Sequence, residues 1–270
     1  MVVVLLIITV LVASGGRLVN GAEIDGFPIP DADFLFITLE GEIRKGDAER
    51  LVIALKKIEG KLLDDEMVTL YLRLNSPGGD VIEAMKMVKI LRRIRLGHAM
   101  VNGECNSACF YLLATAKNKY WDDDDTVGIH RPYLLPEYLV GLSPKEAEAL
   151  HKKVTAQITQ MLTDLNVPMD LIEDMMATAS KYLLPIEPSR QPLPSPYPGF
   201  DEWVDAQCGK VPFEMREVWI ECVTGRETSA DVCDKVERVM DEKLICEIKL
   251  RNKEQLRVIR EIIKEHHGAR

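Results

Sequence analysis

Apolar positions along the chain follow two rhythms, a period of two and a period near 3.6. Phe34–Leu39 is a run of aromatic and β-branched residues that predicts a strand. Met67–Leu74, mostly apolar and alternating at Thr69, Tyr71 and Arg73, predicts a second. Between them Asp47 can cap a helix over Ala48–Ile58, with Leu51, Ile53, Leu55 and Ile58 as its apolar positions. Val81–Arg95 is periodic through Val81, Ile82, Met85, Val88, Ile90 and Leu91 and predicts a second helix. A short strand near His98–Asn102, a small-residue turn at Gly103–Ala108 and a helix from about Ser107 to Ala116 follow. Tyr120-Trp121 and Thr126–Ile129 are further strand pieces. Ser143-Pro144-Lys145-Glu146 has the form of a helix start, with the helix running to about Leu165, and Pro168 opens a shorter one through Met176. Such alternation predicts an α/β fold with a largely parallel sheet.

The ends of the chain differ from this centre. Residues 17–33 carry Gly, Pro and Asp and read as a leader into the fold. Ile186–Gly199 holds five prolines and predicts a linker. Beyond it, Val211–Val223 and Ala230–Glu247 are helical in pattern and joined by a turn containing Gly225. Leu250–His266 adds a stripe of Leu256, Ile259, Ile262 and Ile263, expected to pack within its own domain. The predicted organisation is therefore an N-terminal apolar segment (1–16), an α/β domain (30–185), a proline-rich linker (186–199) and a small helical domain (200–270).

Composition changes this picture at two points. Val2–Ala13 is apolar except for Thr9 and is followed by Ser14-Gly15-Gly16. About a dozen residues are too few to span a ~30 Å hydrocarbon core, but they match a signal-peptide core with its cleavage zone. Export to the periplasm or beyond is expected; uncleaved, the segment offers a membrane anchor. The six cysteines, Cys105, Cys109, Cys208, Cys222, Cys233 and Cys246, then favour disulfides, and no C-x-x-C pair suggests a metal. A hairpin turning near Gly225 predicts nested pairing, Cys222 with Cys233 and Cys208 with Cys246. Cys105 and Cys109 bracket a tight corner, close enough for the roughly 4.4–6.8 Å Cα separation of a disulfide. The net charge of −9 argues against nucleic acid as a partner. Asp122–Asp125 reads as a solvated turn.

Three segments carry candidate chemistry. Leu74-Asn75-Ser76-Pro77-Gly78-Gly79 is a strand end that turns through two glycines, which can bring bare N–H groups close to a ligand. Gly103–Cys109 is a strand-to-helix corner, where a serine meets free N–H groups; a helix-capping serine is its plainer reading. Gly128-Ile129-His130-Arg131-Pro132 supplies a histidine. Taken together, with Ser107 28 residues after Gly79 and His130 23 after Ser107, these segments resemble the proteolytic subunit of the Clp protease, the ClpP family, over about Phe34–Leu183.

That resemblance implies a ClpP/crotonase-like spiral of βαβ units with a disulfide-stapled helical appendage, and a serine peptidase without a cofactor. It implies Ser107 as nucleophile and His130 as general base, with the N–H groups of Gly79 and Ala108 as oxyanion hole. The Cys-x-Ser-Ala-Cys corner and the export signal look more like periplasmic members. In the family the triad aspartate precedes an Arg-Phe-Leu-like step. Here that step is Lys181-Tyr182-Leu183, so Ser180 stands at the acid position, and a shifted register brings in Asp174. A peptide or protein substrate and a homo-oligomer are expected. The alternatives are a non-catalytic scaffold, a Ser–Lys dyad using Lys152 or Lys153, and an acyl-CoA enzyme of the crotonase type, which makes no use of a Ser–His pair. No P-loop occurs in the chain.

Overall fold

The computed structural model describes residues 21–28, 34–64, 68–187, 193–223 and 229–268. The expected signal segment lies outside the described residues. Seven strands form one sheet: β1 (Glu23–Pro28), β2 (Phe34–Glu40), β3 (Thr69–Ser76), β4 (His98–Asn106), β5 (Asn118–Tyr120), β6 (Thr126–Ile129) and β7 (Leu184–Pro185). Their order is β1-β2-β3-β4-β6-β7, with β5 beside the first half of β4. Strands β2 to β6 run parallel, and β1 and β7 close the edges antiparallel. The class is thus mixed α/β.

Eight α-helices occur among the described residues: α1 (Asp47–Asp64), α2 (Val81–Ile94), α3 (Ala108–Leu113), α4 (Pro144–Asp164), α5 (Met169–Ala177), α6 (Pro198–Cys208), α7 (Phe213–Val223) and α8 (Ala230–Gly268). Alternate strand residues decide the layers. Leu35, Ile37 and Leu39 of β2 and Leu70, Leu72 and Leu74 of β3 are buried in one core with the apolar residues of α1 and α2. The intervening positions carry Phe34, Phe36 and Tyr71, whose rings form a row with Phe27, His98 and Tyr120 on the other face.

Three expectations change. The presumed leader contains β1, which pairs with β2 from Leu35 to Glu40. The two last predicted helices are one helix of 39 residues, and its stripe of Val258, Ile259, Ile262 and Ile263 joins the same core as the sheet, against α1 and α2. The described part of the proline-rich stretch is held down rather than slack: Leu193 and Tyr197 are buried, and the Tyr197 hydroxyl donates to the Thr115 carbonyl at 2.6 Å. Residues 188–192 lie outside the described set.

The cysteines stand in three pairs at bonding distance: Cys105 with Cys109, Cys208 with Cys246 and Cys222 with Cys233. The nested pairing expected of the C-terminal hairpin is the one observed. Such pairs fit an oxidising compartment. Among the described residues no helix is long and apolar enough to cross a membrane.

Candidate active site

Two strand ends build the site. Strands β4 and β6 are paired through Asn106 and Gly128, so Ser107 and His130 follow one and two residues beyond the last register pair. Both lie at the carboxyl ends of parallel strands, where α/β sheets place their ligands.

Ser107 has φ 54° and ψ −121°, a backbone state that costs a non-glycine residue about 1–3 kcal/mol and persists only where neighbours enforce it. The enforcement is visible. The Ser107 N–H donates to the Gly128 carbonyl at 2.7 Å, Cys105 is in the ladder with Ser76 and Val127, and α3 begins at once with six buried residues. Ser107 makes no side-chain cap to α3 and remains partly exposed, so the capping role is not the one it plays.

The glycine turn lies against this corner. Gly78 has φ 97°, and a Cβ there would come within 2.7 Å of the Ser107 Cβ and 3.0 Å of the Ala108 nitrogen. Gly79, with φ 136°, is pressed on its other side against Ile43, where a Cβ would meet the Ile43 oxygen at 2.2 Å. Ile43 donates to the Gly78 carbonyl at 2.7 Å and accepts from the Asp80 N–H at 2.8 Å. Those two bonds turn the Gly79 N–H away from Ile43, and neither it nor the Ala108 N–H has a backbone acceptor among the described residues. A ring of buried carboxylates fixes the turn. Asp80 caps α2 through the Ile82 and Glu83 amides, Glu83 accepts from Gly46 and Ala48, and Asp47 accepts from Ala22 and Arg44. The Tyr138 hydroxyl donates to Asp80 at 2.5 Å, and burial, with this bond adding to it, raises the tyrosine pKa.

His130 is buried, 7% exposed, with its ring against Tyr133. Its Nδ1 lies 2.9 Å from the Arg131 carbonyl oxygen. A carbonyl only accepts, so Nδ1 carries a proton, and in the neutral ring Nε2 is then the basic nitrogen. The Arg131 N–H in turn donates to the Thr178 carbonyl at the end of α5.

The structure does not bring the expected acid to the histidine. Asp174 is exposed on α5, and its backbone carbonyl accepts from the Thr178 N–H and hydroxyl. Ser180 is exposed as well, and the place of an orienting carboxylate at Nδ1 is taken by the Arg131 carbonyl. Sequence reasoning missed that group because every residue has a carbonyl and no side chain signals its use. Lys152 is paired with Glu148 at 2.6 Å on an exposed face of α4, and Lys153 is exposed beside it. Neither is placed for a dyad. A cleft of about 590 Å³ opens between Glu42–Lys45 and Leu135–Glu137, bordering the residues that hold Gly79 and Asp80. Among the described residues no cluster could hold a metal.

No family model matches the chain, and no curated protein matches it. The functional reading therefore stands on this geometry and on the motif order.

Proposed function

We propose that the protein is an exported ClpP-like serine peptidase that needs no cofactor. The observation that carries the reading is Ser107 held at positive φ on a strand-to-helix corner, one strand from a histidine whose Nδ1 is fixed by the Arg131 carbonyl. In this reading His130 Nε2 takes the hydroxyl proton as Ser107 Oγ attacks the peptide carbonyl carbon. The oxygen, gaining charge, receives the Gly79 and Ala108 N–H groups. The imidazolium returns its proton to the departing amine, leaving an acyl-serine. Water, deprotonated by the same nitrogen, attacks the acyl carbon and frees the carboxylate product and Ser107.

The periplasm or the exterior is the compartment that suits three cysteine pairs. Reaction with a fluorophosphonate probe tests the proposal. The oxidised wild-type protein should label at Ser107, and Ser107→Ala and His130→Ala should abolish labelling and peptide hydrolysis with an unchanged fold. A wild-type protein that neither labels nor cleaves an unfolded polypeptide would return the chain to the scaffold reading.

A further inference from the structure

We propose that the Cys105–Cys109 pair is a positioning clamp for Ser107, holding the β4–α3 corner in the one backbone state that presents the hydroxyl and the Ala108 N–H together. The proposal rests on Ser107 being the nucleophile. Two buried cysteines are often no more than small core residues. Here their placement does more than fill space.

Cys105 and Cys109 lie two residues to either side of Ser107, with Cα atoms 5.1 Å apart and both side chains wholly buried. Between them the chain leaves strand geometry, passes through φ 54° at Ser107 and enters α3. On the strand side Cys105 is tied into the ladder with Ser76 and Val127. On the helix side, residue 109 is in the first turn of a helix only six residues long, held in place by its burial rather than by its own length. Within the corner itself two backbone bonds oppose relaxation of Ser107: its N–H donates to the Gly128 carbonyl at 2.7 Å, and its own carbonyl accepts from the Phe110 N–H at 3.1 Å. The bridge is the covalent restraint, and it joins the strand side of the corner to the helix side directly.

Its effect on the whole molecule is the least of the three. The residues it spans are separated by 4 in sequence, against 11 and 38 for the other pairs, and a short closed loop removes the least entropy from the unfolded chain. A clamp of this kind separates two properties that fall together when a core is damaged, since its loss loosens the corner more than the fold.

The test compares the wild-type protein, Cys105→Ala/Cys109→Ala and the control Cys222→Ala/Cys233→Ala, each recovered oxidised. Loss of the corner bridge should slow fluorophosphonate labelling of Ser107 and lower kcat at least tenfold, with KM within about twofold. The control should label at the wild-type rate. Amide hydrogen exchange supplies a readout that does not depend on activity. The Ser107 and Phe110 amides, which donate to Gly128 and Ser107, should lose at least tenfold protection in the corner variant while Leu72 in β3 is unchanged. Unchanged protection at the corner overturns the clamp whether or not the protein is a peptidase. Absent labelling in the wild type, together with corner protection that does fall, instead counts against the peptidase reading and leaves the clamp as a backbone device. If the alanine pair does not fold, Cys105→Ser/Cys109→Ser is used. Failure of both pairs to fold would overturn the proposal, since it holds the bridge to be locally rather than globally important.

Discussion

At the scale of single residues, the identity of the group that orients His130 decides what mutation will do. The ring nitrogen Nδ1 is satisfied by the Arg131 carbonyl, a group that side-chain replacement does not remove. Asp174→Asn should therefore leave peptidase activity or probe labelling within about threefold of wild type, measured at saturating substrate. A carboxylate that fixed the tautomer would cost orders of magnitude on removal. A loss of a hundredfold or more in Asp174→Asn would mean that the aspartate reaches the histidine during turnover. Another histidine has a different fate. His98 sits in the ring row between Tyr71 and Tyr120, and burial, with Arg251 and Lys117 adding to it, lowers its pKa to about 4. The folded state thus disfavours its protonation while the unfolded chain protonates near 6.5. Its contribution is intact above about pH 6.5 and is lost as the pH falls from there toward 4. His98→Phe, which keeps the stacking and discards the titration, should flatten that part of the urea-midpoint profile. An unaltered acid limb would place the sensitivity elsewhere.

At the scale of elements, what could be read from the sequence follows from where local signals are strong. Strands β2 and β3, helices α1 and α2 and the Ser143-capped α4 each have periodicity plus a start or stop signal. Their predicted bounds differ from the observed ones by a few residues, most at the end of α1. The missed elements lack such signals. Strand β1 contains Gly26, whose Cβ would strike the Ala54 carbonyl at 2.6 Å, so the very residue that suggests a turn is what lets β1 lie against α1. Helix α6 starts at Pro198, one of the five prolines that suggest a linker, although proline is well placed in a first helical turn. The junction at 248–249 shows no break because α8 is held on both sides of it: Lys243 pairs with Asp205, and Asn252 donates to the Val68 carbonyl at 2.6 Å. The candidate site is legible as Ser107, His130 and the glycine turn, which are side-chain and glycine signals; the Arg131 carbonyl at His130 Nδ1 is not. A prediction belongs to α8. Ile259 is wholly buried, whereas Ile220 in α7 is 48% exposed. Ile259→Ala should cost about 2–5 kcal/mol in chemical denaturation and Ile220→Ala less than about 1. Equal small costs would show that the second half of α8 is dispensable to the core.

At the scale of the whole molecule, α8 links two kinds of stabilisation. Its second half packs on α1 and α2 and is tied down by Arg93 to Glu265 and Arg260 to Glu59; exposed pairs of this sort contribute little beside the buried isoleucines. Its first half is joined to α6 through Cys208–Cys246 and to α7 through Cys222–Cys233, where the apolar side chains are mostly part-exposed, as Val232, Val239, Leu244 and Ile245 are. That region has a poor core of its own and depends on its crosslinks, as small disulfide-rich units do. The outer bridge closes the longer loop, a separation of 38 residues, worth roughly 4 kcal/mol on the chain-entropy estimate. Removing it by Cys208→Ala/Cys246→Ala should therefore act unevenly along one continuous helix. Amides of α7 and the first half of α8 should lose hydrogen-exchange protection by a hundredfold or more. Those around Ile259 should keep theirs, because the sheet and α1 hold them without any disulfide. Protection falling equally along α8 would show instead that the crosslinked helices and the sheet unfold as one cooperative unit, with the bridge stabilising both.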